Sequence, residues 1–307
     1  MAEVLSKEID PDETGFVSRF VSAPDGLRLH ARLYGARGRG LPIVCLPGLT
    51  RNGADFHQLA TALTGDVTQP RLLITIDSRG RGLSDYDRNP ENYSFPVELA
   101  DVVAATTALE IGPAIVLGTS RGGILTMLLG AARPAAIAGV ILNDIGPVID
   151  TKGLVRIKGY AGKLPTPRSY DEGAEILRRL GDAQFPGLLA QDWLRQARQI
   201  WRKANGSLVL AYDPNLAKTL EDVDAERPLP PLWAQFDSLA RVPMMVVHGG
   251  NSDILSTATV DAMRERRLDI DVLEVPNQGH APLLAEPEVI ARIAAFVTLC
   301  DVSALGF

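Results

Sequence analysis

The stretch Ala114-Ile-Val-Leu-Gly-Thr-Ser-Arg-Gly122 decides the reading of this chain. The apolar run Ala114 to Leu117 has the character of a short buried strand, and the small-residue segment Arg121 to Ala132 reads as a buried helix. Between them, Gly118-Thr-Ser-Arg-Gly122 matches G-x-S-x-G, a turn that carries a serine from strand into helix. The reason is steric. Glycines two positions on either side let strand and helix pass closely, and the serine adopts a strained backbone conformation that presents its hydroxyl at the edge of the sheet. Ser120 is therefore the candidate nucleophile.

The rest of the chain repeats this strand and helix alternation. Pro42-Ile-Val-Cys-Leu46, Leu72-Leu-Ile-Thr-Ile76, Gly139-Val-Ile-Leu142 and Pro243-Met-Met-Val-Val247 are nearly continuous apolar runs, as parallel strands covered on both faces require. Leu27 to Tyr34 alternates instead, which predicts a half-buried antiparallel strand, and Asp271 to Val275 alternates as well. Helical spacing predicts helices over Ala54 to Leu63, Val97 to Leu109, Thr257 to Arg266 and Pro287 to Leu299. The rhythm breaks from Pro147 to the proline cluster ending at Pro231, a stretch rich in Lys, Arg, Asp and Gln with helical pieces at Tyr170 to Leu180 and Gln191 to Lys203. The expected organisation is an α/β core formed by residues 1–146 and 231–307, with residues 147–230 as a mostly helical cap or lid.

A serine nucleophile needs a base to take its proton and an acid to orient that base. His280 lies between the last strand and the last helix, on a loop at a strand's C-terminal end. His248 ends a strand, His57 falls on a helix and His30 on the N-terminal strand, so His280 is the candidate base. For the acid, Asp253 follows the strand ending at Val247 on the same edge of the sheet. Asp144, at the end of the strand Gly139 to Leu142, is the rival; Asp253 is favoured. Asp77 and Asp85 are expected to bond within their own turn. Oxyanion stabilisation calls for backbone N–H donors, and position in the sequence assigns these to Arg121, just after the nucleophile, and to Leu49 in the turn Leu46-Pro-Gly-Leu49.

Together these residues resemble the α/β-hydrolase family, with nucleophile, acid and histidine in the chain order Ser120, Asp253, His280. The resemblance spans nearly the whole chain and includes Asp77-Ser-Arg-Gly-Arg-Gly-Leu-Ser84, similar to the family's D-x-R-G-x-G-x-S. It implies an eight-stranded, mostly parallel sheet flanked by helices, with a helical cap inserted after the sixth strand. Where many members carry His-Gly at the oxyanion turn, this chain carries Pro47-Gly48. The serine at the elbow disfavours members that use an aspartate there.

The function this implies is a serine hydrolase that cleaves a carboxylic ester of a small to medium apolar substrate through an acyl-enzyme. A lactonase or a C–C bond hydrolase on the same triad is the alternative, and a non-catalytic ligand receptor or a lyase is a more distant one. Substrate contacts are sought at Arg51, which could meet a carboxylate, and at Trp193, Trp201 and Trp233 in and beside the cap.

Composition narrows the partners. The chain has 307 residues, 31 basic against 37 acidic, and a net charge of −6, without the basic face that phosphate binding needs. Nucleic acid is not an expected partner, and no apolar run is long enough to span a bilayer. Cys45 and Cys300 sit in apolar runs at no metal-ligand spacing, which fits a reducing compartment. Met1 to Asp10 lacks the apolar stretch of an export signal, so a cytoplasmic protein is expected. Gly48-Leu-Thr-Arg-Asn-Gly53 has the glycines of a phosphate loop, but Ala54 and Asp55 replace its Lys and Ser or Thr. Neither cofactor nor metal is expected.

Overall fold

A computed structural model describes residues 14–66 and 68–304. The N-terminal stretch 1–10 read above for an export signal lies outside them.

Eight strands form one sheet: β1 (Phe16–Ser22), β2 (Arg28–Gly35), β3 (Ile43–Leu46), β4 (Leu72–Asp77), β5 (Ala114–Thr119), β6 (Ile137–Asn143), β9 (Met244–Gly249) and β10 (Asp271–Val275), in the spatial order β1-β2-β4-β3-β5-β6-β9-β10. The pairings β1/β2 and β2/β4 are antiparallel, and every other neighbour is parallel. The continuous apolar runs supply the parallel centre because alternate side chains serve opposite faces and both faces are covered. Ile43, Cys45, Ile115, Leu117, Ile141, Met245 and Val247 point to the face packed by α1 (His57–Thr64) and α9 (Pro287–Ala304). Their neighbours Val44, Leu46, Val116, Val140, Leu142 and Val246 point to the face packed by α2 (Phe95–Ala108), α3 (Arg121–Ala132) and α8 (Thr257–Arg266). Cys45 and Cys300 are free, buried thiols in the first of these layers.

Strand β1 was not expected from the sequence. Its pattern of half-buried and exposed residues lacks an apolar run, and the strand forms by pairing along the whole of β2, from Phe16 opposite Tyr34 to Ser22 opposite Arg28.

Between β6 and β9 the chain leaves the sheet through α4 (Thr151–Tyr160), α5 (Tyr170–Gly181), α6 (Ala190–Ile200), the hairpin β7 (Trp201–Ala204) and β8 (Ser207–Leu210), and a 3₁₀ segment Pro214–Leu220. It returns by the short helix α7 (Trp233–Asp237). The excursion has its own apolar centre, including Leu177, Trp193, Trp201, Leu208, Tyr212 and Leu216. One expectation needs correcting, and one element is additional. The helix expected to reach Lys203 stops at Ile200, because Asn205-Gly206, both at positive φ, turns the chain into a hairpin. Helix α4 was not anticipated; Asp150 caps it, accepting from the Lys152 N–H at 2.9 Å.

Candidate active site

The G-x-S-x-G turn behaves as its sterics require. Ser120 has φ 51° and ψ −116°, a backbone conformation that costs on the order of 1–3 kcal/mol for a non-glycine residue and persists only when its surroundings enforce it. Gly118 and Gly122 are what permit it. A Cβ at Gly118 would collide with the Gly122 carbonyl, and one at Gly122 would collide with the carbonyl of Leu46. Strand β5, helix α3 and the end of β3 therefore meet at glycine-only contacts. The turn after β3 lies against the serine, since a Cβ at Gly48 would stand 3.7 Å from Ser120 Cβ.

His280 Nε2 lies 2.8 Å from Ser120 Oγ. Its Nδ1 lies 2.7 Å from Asp144 Oδ2. Asp144 is fully buried at the end of β6, has φ 55°, and accepts further hydrogen bonds from the Gly249 N–H at 2.8 Å and the Ser252 hydroxyl at 2.6 Å. Asn143 ties the end of β5 to the loop that carries His280, donating from Nδ2 to Thr119 Oγ1 at 3.1 Å and to the Pro282 carbonyl at 3.0 Å.

The acid favoured from sequence is therefore corrected. Asp253 faces the excursion rather than His280 and is paired with Arg156 of α4, which donates from Nε at 2.6 Å and Nη2 at 2.9 Å. The short turn at Gly249, where the Ser252 N–H bonds the Gly249 carbonyl, sends the Ser252 hydroxyl toward Asp144 and leaves Asp253 one residue further out. Burial alone would raise the Asp253 pKa, but the hydrogen bond from Arg156 holds it below the usual carboxylate range.

Ser120 and His280 open into a cavity of about 200 Å³ between the sheet edge and the excursion. Its floor includes Gly48, Leu49, Thr119 and Asn143, and its walls include Leu164, Leu177, Leu180, Phe185, Leu188, Trp193 and Ile200. Polar side chains enter at Arg51, Asp55, Arg156, Tyr160, Gln184, Gln196 and Tyr212. Of these, sequence reasoning had singled out Arg51 alone. The others belong to the excursion or to polar turns, where no periodicity marks which way a side chain faces.

Of the substrate contacts expected from sequence, Arg51 and Trp193 line the cavity. Arg51 is held by both Asp55 carboxylate oxygens at 2.7 Å and by Gln196 and Gln199 of α6 at 2.7 and 2.8 Å, so its guanidinium docks the excursion onto the turn after β3. Trp201 is fully buried in the centre of the excursion and does not line the cavity. Trp233 does not line it either; it packs edge-on against Phe236 at 5.8 Å with Arg266 over its other side. Both expectations are corrected, each for its own reason: the Trp201 ring fills the centre of the excursion, whereas Trp233, part-buried on α7, packs against the main core.

Of the backbone donors, Leu49 lines the cavity, and Arg121 is the first residue of α3, where an N–H has no acceptor within the helix. The Arg121 side chain turns away, donating to Glu98 Oε2 at 2.8 Å and to the Tyr93 carbonyl at 2.8 Å.

A second Ser–His–Asp alignment exists. Ser18 Oγ lies 2.8 Å from His30 Nε2, and His30 Nδ1 lies 2.8 Å from Asp77 Oδ2. None of its residues lines the cavity. Its work is structural: Asp77 accepts from the Gly53 N–H at 2.7 Å and the Leu83 N–H at 2.9 Å, pinning the turns after β3 and β4. Among the described residues there is no cluster of three or more His, Cys, Asp and Glu side chains that could hold a metal, and no helix long and apolar enough to cross a membrane.

Residues 43–293 match the model of the Alpha/beta hydrolase family. The chain is 31% identical, over 90% of its length and 95% of the relative's, to the 3-hydroxybutyrate-oligomer hydrolase of Cupriavidus necator. It is 25% identical, over 83% of its length and 87% of the relative's, to the 2-(acetamidomethylene)succinate hydrolase of Mesorhizobium japonicum. Among solved structures, an alpha/beta hydrolase from Novosphingobium aromaticivorans superposes with a TM-score of 0.86 at 38% identity, covering 93% of this chain and 99% of that one.

Proposed function

The chain belongs to the α/β-hydrolase family, and from that premise we propose that it is a serine hydrolase cleaving a short-chain carboxylic ester through an acyl-enzyme. The observation that carries this reading is the unbroken line Ser120 Oγ, His280, Asp144, whose first two members line the cavity.

His280 Nε2 accepts the Ser120 proton as Oγ bonds to the ester carbonyl carbon, and Asp144 holds the imidazole and stabilises its protonated form. The carbonyl oxygen becomes an oxyanion facing the N–H groups of Leu49 and Arg121, each worth about 10²- to 10³-fold in rate. Collapse breaks the bond to the alcohol, which leaves with the proton from His280. Water, deprotonated by the same imidazole, then releases the acid and restores Ser120.

The residues 147–230 act in this reading as a cap that sets substrate size. Its aliphatic and aromatic wall suits an apolar acyl chain, and a cavity of about 200 Å³ suits a short one. The substrate in the name of the Cupriavidus necator relative, an oligomer of 3-hydroxybutyrate, is built of short acyl units of that scale. The guanidinium groups of Arg51 and Arg156 already face carboxylates of the protein, so they balance rather than add charge at the cavity.

The test is hydrolysis of p-nitrophenyl acetate, butyrate and octanoate beside 3-hydroxybutyrate oligomers, lactones and β-diketone-like substrates. Esters of short acids are expected to be the best substrates, and Ser120→Ala is expected to lower kcat by about 10⁶-fold. Full ester hydrolysis by that variant would end this reading, and preference for the lactones or the carbon–carbon substrates would replace it.

A further inference from the structure

The two oxyanion donors of this reading sit on different elements, the turn after β3 and the start of α3, and one buried chain of charges reaches both residues. Arg81 donates from Nε to the Leu49 carbonyl at 2.5 Å and from Nη1 to Glu98 Oε1 at 3.0 Å. The other Glu98 oxygen accepts from Arg121 Nε at 2.8 Å. Arg81 and Glu98 are at most 1% exposed and Arg121 is 9% exposed. The Arg121 guanidinium also lies 4.1 Å over the Phe95 ring.

Two details separate this chain of charges from ordinary packing. Every hydrogen bond of the buried Arg81 guanidinium goes to the Leu49 carbonyl, to Glu98 or, from Nη1 at 2.8 Å, to the Arg79 carbonyl of its own turn, and among the described residues Nη2 has no partner. The neighbouring pair of the same turn, Arg79 donating to both Asp101 oxygens at 2.6 and 2.7 Å, secures the fold there without touching Leu49 or Arg121. The Arg81 backbone is clamped as well. Gly82 N–H bonds the Ala211 carbonyl and Asp213 N–H the Gly80 carbonyl, each at 2.7 Å, so the segment that carries Arg81 is registered against residues following β8.

We propose that Arg81 and Glu98 are positioning residues that set Leu49 and Arg121, and with them both oxyanion donors, as one unit. The proposal rests on the ester-hydrolase reading above. Arg81 fixes the orientation of the Leu49 residue through its carbonyl, Glu98 fixes Arg121 through its side chain, and Glu98 joins the two. Loss of either link leaves the serine and histidine in place but lets the donors drift from the position of the transition-state oxygen. Substrate binding is then affected less than the chemical step.

The experiment compares Arg81→Lys and the near-isosteric Glu98→Gln with the parent, with Asp101→Asn as a control for buried charge and Ser120→Ala as a control for the reaction. Turnover of p-nitrophenyl butyrate, inhibition by a butyl trifluoromethyl ketone and Tm are measured for each. In both network variants kcat is expected to fall roughly 10- to 100-fold, less than for a donor removed outright. KM should stay within about threefold, and the Ki of the ketone should rise by the factor lost from kcat/KM. Asp101→Asn should lower Tm and leave kcat and Ki in place. Should Arg81→Lys fail to fold, Glu98→Gln decides alone. If kcat and Ki stay within about twofold of the parent in every folded network variant, whatever its Tm, the network only holds the fold and the proposal is overturned. Undiminished turnover by Ser120→Ala is a different result, which removes the ester reading and the proposal with it.

Discussion

Asp144 Oδ2 stands 2.7 Å from His280 Nδ1, while Asp253, the acid favoured for its place just after the strand ending at Val247, is held by Arg156. The sheet order explains the outcome. Strand β6 lies between β5, which leads into Ser120, and β9, so a residue just after β6 projects between Ser120 and the loop beyond β9. The positive φ of Asp144 turns its carboxylate toward that gap, where Gly249 and Ser252 hold it.

Replacing the two acids separately is therefore expected to give very different enzymes. Asp144→Asn should lower kcat by about 10⁴-fold with KM little changed, because the imidazole loses the partner that fixes its tautomer. Asp253→Asn should cost less than about tenfold in kcat and act instead on Tm, because it removes an ion pair to helix α4 rather than a group on His280. Steady-state kinetics on p-nitrophenyl butyrate with thermal melts of both variants test this, and a larger kcat loss for Asp253→Asn would reverse the assignment.

That pair of residues also marks how far the sequence could be read. The elbow was legible because its glycines are demanded by contacts that only glycine survives, and the parallel strands because burial on both faces leaves an uninterrupted apolar run. His280 was legible from its place between the last strand and the last helix. The choice of acid was not, since Asp144 and Asp253 both follow strands at the same sheet edge, and what separates them is one residue of turn and the arrival of Arg156 from α4. Strands β1 and β7 were hidden for a related reason: their residues pair with a neighbouring strand without forming an apolar run of their own.

The elbow's sterics predict a sharp response to a single methyl group. Gly122→Ala places a Cβ against the carbonyl and side chain of Leu46, an overpacking that typically costs about 1–3 kcal/mol. Because Leu46 leads into the turn that carries Leu49, relief of the clash should displace that turn. The expected result is a lowered Tm together with a fall in kcat of at least about tenfold, read by calorimetry and ester hydrolysis. An unchanged kcat would separate the elbow's packing from the oxyanion turn.

Asp77 gives a prediction in pH. Burial alone would raise its pKa, but the hydrogen bond and charge of His30 and the charge of Arg32 bring it down to about 2, against 3.8 for an ordinary aspartate. A depressed folded-state pKa contributes stability above the unfolded value, and that stability is lost as pH falls through the folded one. Asp77→Asn should therefore be less stable than the parent at neutral pH by on the order of 2 kcal/mol. The gap should narrow as pH falls from about 4 toward 2. Calorimetric melts of both proteins across that range would show it, and a gap independent of pH would mean that the ionised carboxylate is not what the fold uses.

The three tryptophans separate substrate contact from packing. Trp193 lines the cavity and stands edge-on to Phe185 at 6.4 Å, whereas Trp201 is fully buried away from the cavity and Trp233 packs on Phe236 near Arg266. Trp193→Ala enlarges the acyl end of the pocket, so it should raise kcat/KM for the octanoate relative to the butyrate, by on the order of tenfold. Trp201→Ala removes a ring from the centre of the excursion at a cost of about 3–5 kcal/mol and should lower Tm. In whatever fraction stays folded, the chain-length preference should be unchanged. Trp233→Ala should alter neither the preference nor KM. The decisive reading is the ratio of kcat/KM for the two esters at a temperature where every variant is folded. A ratio that moves with Trp201 and not with Trp193 would place the acyl chain on the other side of the excursion's apolar centre, away from the wall formed by Leu177, Phe185 and Trp193.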